Sequence, residues 1–360
     1  ASVTFLVAED LSFEGNETAV FSATIAGIFG TPATTSVVIN DTSTPSVQEV
    51  LTIGTDVVNN VSAQAFEIVA NEATLGQNDQ IDSQLSGAIL NIGTDASFNI
   101  ANFDTNNVET FQFTTSNSDG GDGFIDMRNA NGVKNLNINR SNLDSFKFDD
   151  LQSAANLKAV INDSFTDYYF NFDASALTGA DSFDVTFSEA PIDAASGKRL
   201  GIVANQGPTD ASASIETLNL ESTGSSANNV LGVISVGSAL KTLNITGSVN
   251  VNVHQDIGKT QSSDLGNVSG NSEINKIDAS TLNAKLFGGV SGAFAYTSSV
   301  KGEVDVLGAI GDNTLFLDTS NVTGSTTRFD VLTQGGNDAV TTSRDNDTIT
   351  TAGGNDTISA

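Results

Sequence analysis

Along most of the chain, short runs in which apolar and polar residues alternate recur at a nearly constant interval. VETFQF from Val108 is followed by VKNLNI from Val133, LKAVIN from Leu157 and DSFDVT from Asp181, at spacings of 25, 24 and 24 residues. IETLNL from Ile215, LKTLNI from Leu240, INKIDA from Ile274, VKGEVDV from Val300 and TTRFDVL from Thr326 continue the series at 34, 25, 34, 26 and 26. Alternation with period two puts every second side chain on one face of a strand. A self-similarity near 25 residues is what a parallel β-solenoid gives, because each coil stacks equivalent strands and buries equivalent side chains. Antiparallel sandwich domains in series would not produce it. The pattern therefore predicts an all-β chain whose main body, residues 47–332, is a right-handed parallel β-solenoid. Two segments, SAQAFEIVANEA and DDLQSAANLK, read instead as short flanking helices.

Residues 1–46 form a separate opening segment. Alternation in Val3–Val7, Ala19–Ile25 and Ser36–Ile39 predicts strands, and the polar NDTSTPS stretch around Thr42–Ser46 marks the boundary. EGNETAVFSATIAG and VVINDTS resemble fragments of Calx-β or other immunoglobulin-like modules. The resemblance implies a small, partial β-sandwich ahead of the solenoid.

The period changes at the other end. Residues 333–360 read TQGGNDAVT, TSRDNDTIT, TAGGNDTIS, which places Asp338, Asp347 and Asp356 in step with Val340, Ile349 and Ile358 every nine residues. Calcium takes roughly six to eight oxygen ligands, which aspartates and turn carbonyls can supply together. Gly335, Gly336, Gly353 and Gly354 would let the turns bring those carbonyls close. The segment resembles the repeats-in-toxin nonapeptide. That resemblance implies a flattened calcium-binding β-roll with Asp338 and Asp356 on one side and Asp347 on the other, folding when calcium arrives. Two departures predict a weakened or irregular site: Thr333, Thr342 and Thr351 hold the first position, where the family prefers glycine, and the middle repeat, with Arg344 and Asp345, has no glycine. Because the chain stops inside a repeat, with Ala360 following the third nonapeptide, the native protein is expected to continue.

Looser relatives of the nonapeptide occur earlier. LGQNDQID carries Asp79, TGADSFD carries Asp181, GAIGDNTL carries Asp312 with the Asp-Asn order reversed, and SDGGDGFID carries Asp119, Asp122 and Asp126. Each reads as a polar corner or as an ion site. The candidate calcium ligands are therefore Asp338, Asp347, Asp356, Asp345, Asp79, Asp119, Asp122, Asp126, Asp181 and Asp312, with the turn glycines 335, 336, 353 and 354.

Charge narrows the partners. Lys and Arg total 14 against 43 Asp and Glu, a formal net charge of -29. Such a surface repels nucleic acid and anionic lipid and attracts cations. Cysteine is absent and His254 is the single histidine, so disulfides and thiolate chemistry are excluded and zinc or general-base chemistry has little to draw on. No apolar run approaches the roughly 18 residues that a membrane-spanning helix needs, and no signal-like segment follows Ala1.

Taken with Thr217–Leu220, Thr242–Ile245, LGQNDQIDSQLSGAILNIG and the terminal nonapeptides, residues 75–360 resemble the surface-layer proteins of Gram-negative bacteria that carry toxin-type repeats, the Caulobacter-type lattice protein being the prototype. The resemblance implies type I secretion, folding in extracellular calcium and self-assembly into a sheet on the outer bacterial surface, with lipopolysaccharide or surface glycans as an anchor. A sheath or filament would look the same in sequence. Two alternatives stay open. One is a repeats-in-toxin adhesin that binds glycans or other surfaces. The other is a polysaccharide-active β-helix enzyme, a lyase or epimerase, for which His254 with Asp256 and Lys259 is the constellation to name. Tyr168 and Tyr169 could stack on sugars, although an aromatic run between Phe165 and Phe172 reads more readily as core. The expectation is a structural protein and not an enzyme.

Overall fold

Nine alternating runs located by the 25-residue period lie side by side in one sheet. With Val47–Val50, Phe66–Asn71, Ala88–Thr94 and Thr348–Thr350 they make thirteen strands, ordered as in the sequence. Each described pairing within this long sheet is parallel. The computed structural model describes residues 17–23, 33–39, 47–60, 66–76, 78–84, 86–94, 97–115, 120–177, 179–190, 200–206, 215–236, 240–253, 274–288, 294–298, 300, 302–318, 327–343 and 346–360. Three further parallel sheets close the coils. One of eight strands runs from Phe98–Ile100 to Leu286–Gly288, one of four lies near the N-terminal end (Val57–Asn60, Asp79–Ser83, Phe103–Asn106, Ala130–Asn131), and one of four lies near the C-terminal end (Phe294–Thr297, Thr314–Asp318, Ala339–Thr342, Thr357–Ser359). The chain is a β-solenoid.

The register explains why the alternation repeats. Ile68, Leu90, Phe111, Leu136, Ala159, Val185, Leu220 and Ile245 pair in one continuous row. All are inaccessible to solvent or nearly so. On the second sheet the core is aromatic: Phe146 and Phe148 lie 4.4 Å apart on one strand, and Phe148 stacks on Phe170 of the next at 5.4 Å and 3°. Tyr168 is part of this core, its hydroxyl 2.8 Å from Ser164 Oγ. Glu49, paired with Ile68, occupies the same row in the first coil and is exposed. A carboxylate at the head of an apolar row discourages another strand from adding to that edge.

Corners carry the remaining sequence signal. Asn78, Asn102, Asn107, Asn156 and Asn346 all have positive φ, which asparagine tolerates better than bulkier residues. At Gly247, φ is +116° and a Cβ would lie 2.0 Å from the Ser222 carbonyl oxygen of the preceding coil. Gly247→Ala should therefore destabilise the solenoid by more than about 2 kcal/mol in denaturant unfolding, since both conformation and space exclude a side chain.

Among the described residues neither predicted helix is present, residues 62–65 of the first lying outside them. Phe66–Asn71 of SAQAFEIVANEA is a strand of the long sheet, and DDLQSAANLK runs from the end of strand Ser145–Leu151 through a turn into Lys158–Ser164. Alanine-rich local propensity is overridden by pairing with neighbouring coils. Among the described residues the one helical element is the 3-10 turn Ala174–Ala176, and no helix there is long and apolar enough to cross a membrane. In the opening segment Glu17–Ala23 pairs antiparallel with Ala33–Ile39. The rest of that segment, including Val3–Val7 and the Thr42–Ser46 boundary, lies outside the described residues.

Candidate metal centre

From residue 328 onward the coil shortens to 18 residues and becomes two-sided. Val331 pairs with Ile349 on the long sheet, while Val340 pairs with Ile358 on the C-terminal four-stranded sheet. The nine-residue spacing is thus half a coil: successive repeats fall on opposite sides. Asp338 and Asp356 stack in one corner, the Asp338 amide donating to Asp356 Oδ1 at 3.0 Å. Asp347 occupies the opposite corner, where its Oδ1 accepts from the Phe329 amide at 2.9 Å.

The corner of Asp338 extends one coil back to Asp312 and Asn313. Strand pairing aligns Thr314 with Ala339, so Asp312 stands level with Asn337 and Asn313 with Asp338. The reversed Asp-Asn order therefore puts an amide where the next two coils have carboxylates. That amide is fully buried and donates through Nδ2 to the carbonyls of Ala309 (3.0 Å) and Gly311 (2.8 Å) and to Asp338 Oδ1 (2.9 Å). It fills a cradle of oxygens with a donor. One coil later the matching group is a carboxylate, which has no hydrogen to give when ionised. Asp338 is 2 % exposed, and its Oδ2 is buried without a hydrogen-bond partner.

Asp338 Oδ2 is one of four such oxygens in this region. Thr333 Oγ1, Thr342 Oγ1 and Asp347 Oδ2 are also buried and unpartnered. Buried polar atoms are ordinarily satisfied, so a concentration of lone acceptors and hydroxyls calls for a missing donor or cation. Gly354, at φ +145°, would place a Cβ 1.6 Å from the Gly336 carbonyl oxygen, which explains the glycine there. Gly335 and Gly353 face no such constraint, since a Cβ would meet nothing nearer than 3.7 Å.

The other sequence candidates are dispersed. Asp79 is fully buried near the N-terminal end, accepting from the amides of Asp56 (2.7 Å) and Gly76 (3.0 Å), and burial pushes its carboxyl above the usual range. Asp181 is half-buried. Burial and then the neighbouring Glu216 carboxylate raise it, while its amide donates to Glu216 Oε2 at 2.7 Å. Asp122 accepts from Ser145 Oγ at 2.5 Å, and Asp126 accepts from the Arg128 amide at 3.0 Å. Asp312 is held below the usual range, first by the Lys285 ammonium and then by the Asn337 amide at 2.9 Å. Its charge is already compensated by lysine. Asp119, Asp345 and His254 lie outside the described residues. Tyr169 faces outward with the Lys147 ammonium 5.4 Å from its ring centroid.

Sequence reasoning missed a second acidic group. Glu303, Asp305 and Asp330, on the outer face of the long sheet, each place a carboxylate oxygen within 4.8 Å of the others, close enough to hold a metal ion. The alternating EVDV and RFDV runs contain them, but only the Asp305–Asp330 pairing brings them together. Arg328 pairs with Glu303. Also missed was Asp56, whose Gly54-Thr55-Asp56 turn has the spacing that could have found it; Asp56 accepts from the Thr52 amide at 2.7 Å. Glu189 is another acceptor at a corner. Ser226, then the amide and hydroxyl of Ser225, hold its carboxyl down to about 2. A carboxyl depressed in the folded state stabilises above its unfolded pKa, and that contribution fades as pH falls from about 4.5 toward 2. Carboxyl NMR titration should show Glu189 still ionised at pH 3.

No family model matches the chain, and neither a curated protein nor a solved structure shows significant similarity to it.

Proposed function

We propose that this protein is a calcium-dependent structural component of a bacterial cell surface, secreted and assembled from copies of itself into a lattice, sheath or filament. The observation that carries the reading is the exchange of Asn313 for Asp338 at one corner position. Where the amide stands, its nitrogen satisfies two carbonyls and a carboxylate; where the aspartate stands, an acceptor is left buried and alone. A hard cation bound by Asp338, Asp356 and the turn carbonyls would supply the missing positive charge, and calcium, with its flexible all-oxygen shell, suits such a corner. Asp347 with Thr342 would hold an ion on the opposite side. Resemblance to toxin-type repeats supports calcium over other divalent ions.

Assembly follows from charge. At -29 like protomers repel, and cations bridging surface carboxylates such as Glu303, Asp305 and Asp330 would let lateral faces approach. Electron microscopy of the purified protein with and without millimolar calcium tests this. Ordered sheets or filaments should form only with calcium. Assemblies that persist in excess chelator, or dispersed particles under both conditions, would defeat the reading.

A further inference from the structure

Near the C-terminal end, the outer face of the long sheet turns amphipathic over two strands. Glu303–Leu307 and Arg328–Leu332 pair in register, so their outward residues meet as Glu303 with Arg328, Asp305 with Asp330 and Leu307 with Leu332. Leu332 is 45 % exposed, and Ile310, in the turn after the first strand, is 43 % exposed. Both stand among the few large apolar side chains that the described residues leave open to solvent.

The carboxylates beside the leucines differ from the others on this face. Glu67, Asp184 and Glu221 accept hydrogen bonds from Gln48, Asn219 and Thr186, while Glu109, Asp278 and Glu303 pair with Lys134, Lys276 and Arg328. Among the described residues, no side chain donates to Asp305 or Asp330. Lys276 is the register partner of Asp305 on its other side, yet its ammonium lies 3.0 Å from Asp278. Like charges directly opposite one another cost a sheet stability. Two lone carboxylates facing each other next to two leucines therefore call for a cation that carries an apolar neighbour.

We infer that this face docks an extended segment of a partner protein that presents an arginine and, two residues on, an aliphatic side chain. An extended chain repeats its side chains on one face every second residue, the same interval that separates Asp305 from Leu307. The planar guanidinium fork suits two adjacent carboxylates. The aliphatic residue would cover Leu307, Leu332 and Ile310. A metal ion at the same carboxylates would leave the leucines bare, and two free carboxylates on a flat face fall short of the roughly six to eight oxygens that calcium takes. Nucleic acid and anionic lipid are repelled. The inference does not rest on the calcium reading of the terminal corners.

Fluorescence anisotropy with the whole chain, kept in calcium, tests it. The probe is a short labelled peptide in which arginine, leucine and isoleucine alternate with threonine. It should bind, and Asp305→Asn/Asp330→Asn should weaken binding about tenfold and Leu332→Ser about threefold, with unchanged far-UV circular dichroism. Asp184→Asn/Glu221→Gln removes as much charge from the same sheet and should leave binding as it is. A peptide with glutamate for arginine should not bind, and one with serine for both aliphatic residues should bind more weakly than the probe. The inference is overturned if the probe does not bind, if either face variant binds it like the parent, or if the serine peptide binds as tightly. It is also overturned if sedimentation shows that Leu332→Ser separates copies of this chain, which would make the face a contact between copies.

Discussion

Phe148→Ala should cost about 3–5 kcal/mol of unfolding free energy, the usual range for deleting a buried phenyl ring. Phe148 is fully buried and touches rings on three strands: Phe146 on its own, Phe113 at 5.4 Å edge-on, and Phe170 stacked at 5.4 Å. In a stacked architecture each coil leans only on its neighbours, so the loss falls on the coils that carry Phe113 and Phe170. Guanidinium unfolding followed by circular dichroism would read the loss as a lower midpoint. Phe148→Leu, which keeps most of the volume, should cost less than about 1.5 kcal/mol. Equal midpoints for the alanine variant and the parent would mean that the aromatic row is not the core of this segment.

The legibility of this chain was uneven for physical reasons. Strands of the long sheet were readable because each buries one face, so Leu136 and Ile138 or Leu218 and Leu220 recur with period two while Asn137 and Asn219 face outward. The coil period was readable because equivalent side chains must stack. Phe66–Asn71 was misread because its alternation is offset by alanine and glutamate, residues that favour helices locally, and only pairing with Val47–Val50 and Ala88–Thr94 decides the matter. The nonapeptide spacing gave Asp338, Asp347 and Asp356, and the resemblance to the toxin-type repeat implied their division between two sides. The spacing could not give Asn313 its role, because an amide that donates to two turn carbonyls and a carboxylate is visible only once those oxygens converge on it. Nor could it give Glu303, Asp305 and Asp330, whose proximity arises between coils.

Chelation should release the terminal coils. If Asp338, Asp347 and Asp356 hold calcium, removing it leaves the buried Asp338 carboxylate and the half-buried Asp347 and Asp356 carboxylates uncompensated, and residues 328–360 should exchange their amide hydrogens faster by about a hundredfold or more. That factor corresponds to about 2.7 kcal/mol, the linkage expected at free calcium roughly 100 times its dissociation constant. Hydrogen-exchange mass spectrometry with calcium and with chelator would measure it, the Leu136 and Leu220 coils serving as internal controls that should not change. The Asn313 geometry sharpens the prediction. Asp338→Asn supplies a donor where the ion would sit, as Asn313 does with its contacts at 2.8–3.0 Å, so its corner should stay protected in chelator. Asp338→Ala supplies neither donor nor ligand and should stay unprotected in calcium. Asn313→Asp should do the reverse of the first variant, making a coil that is indifferent to calcium dependent on it. Equal protection of residues 328–360 with and without calcium in the parent would sink the metal assignment, and the lone oxygens of Asp338 and Asp347 would then need some other partner.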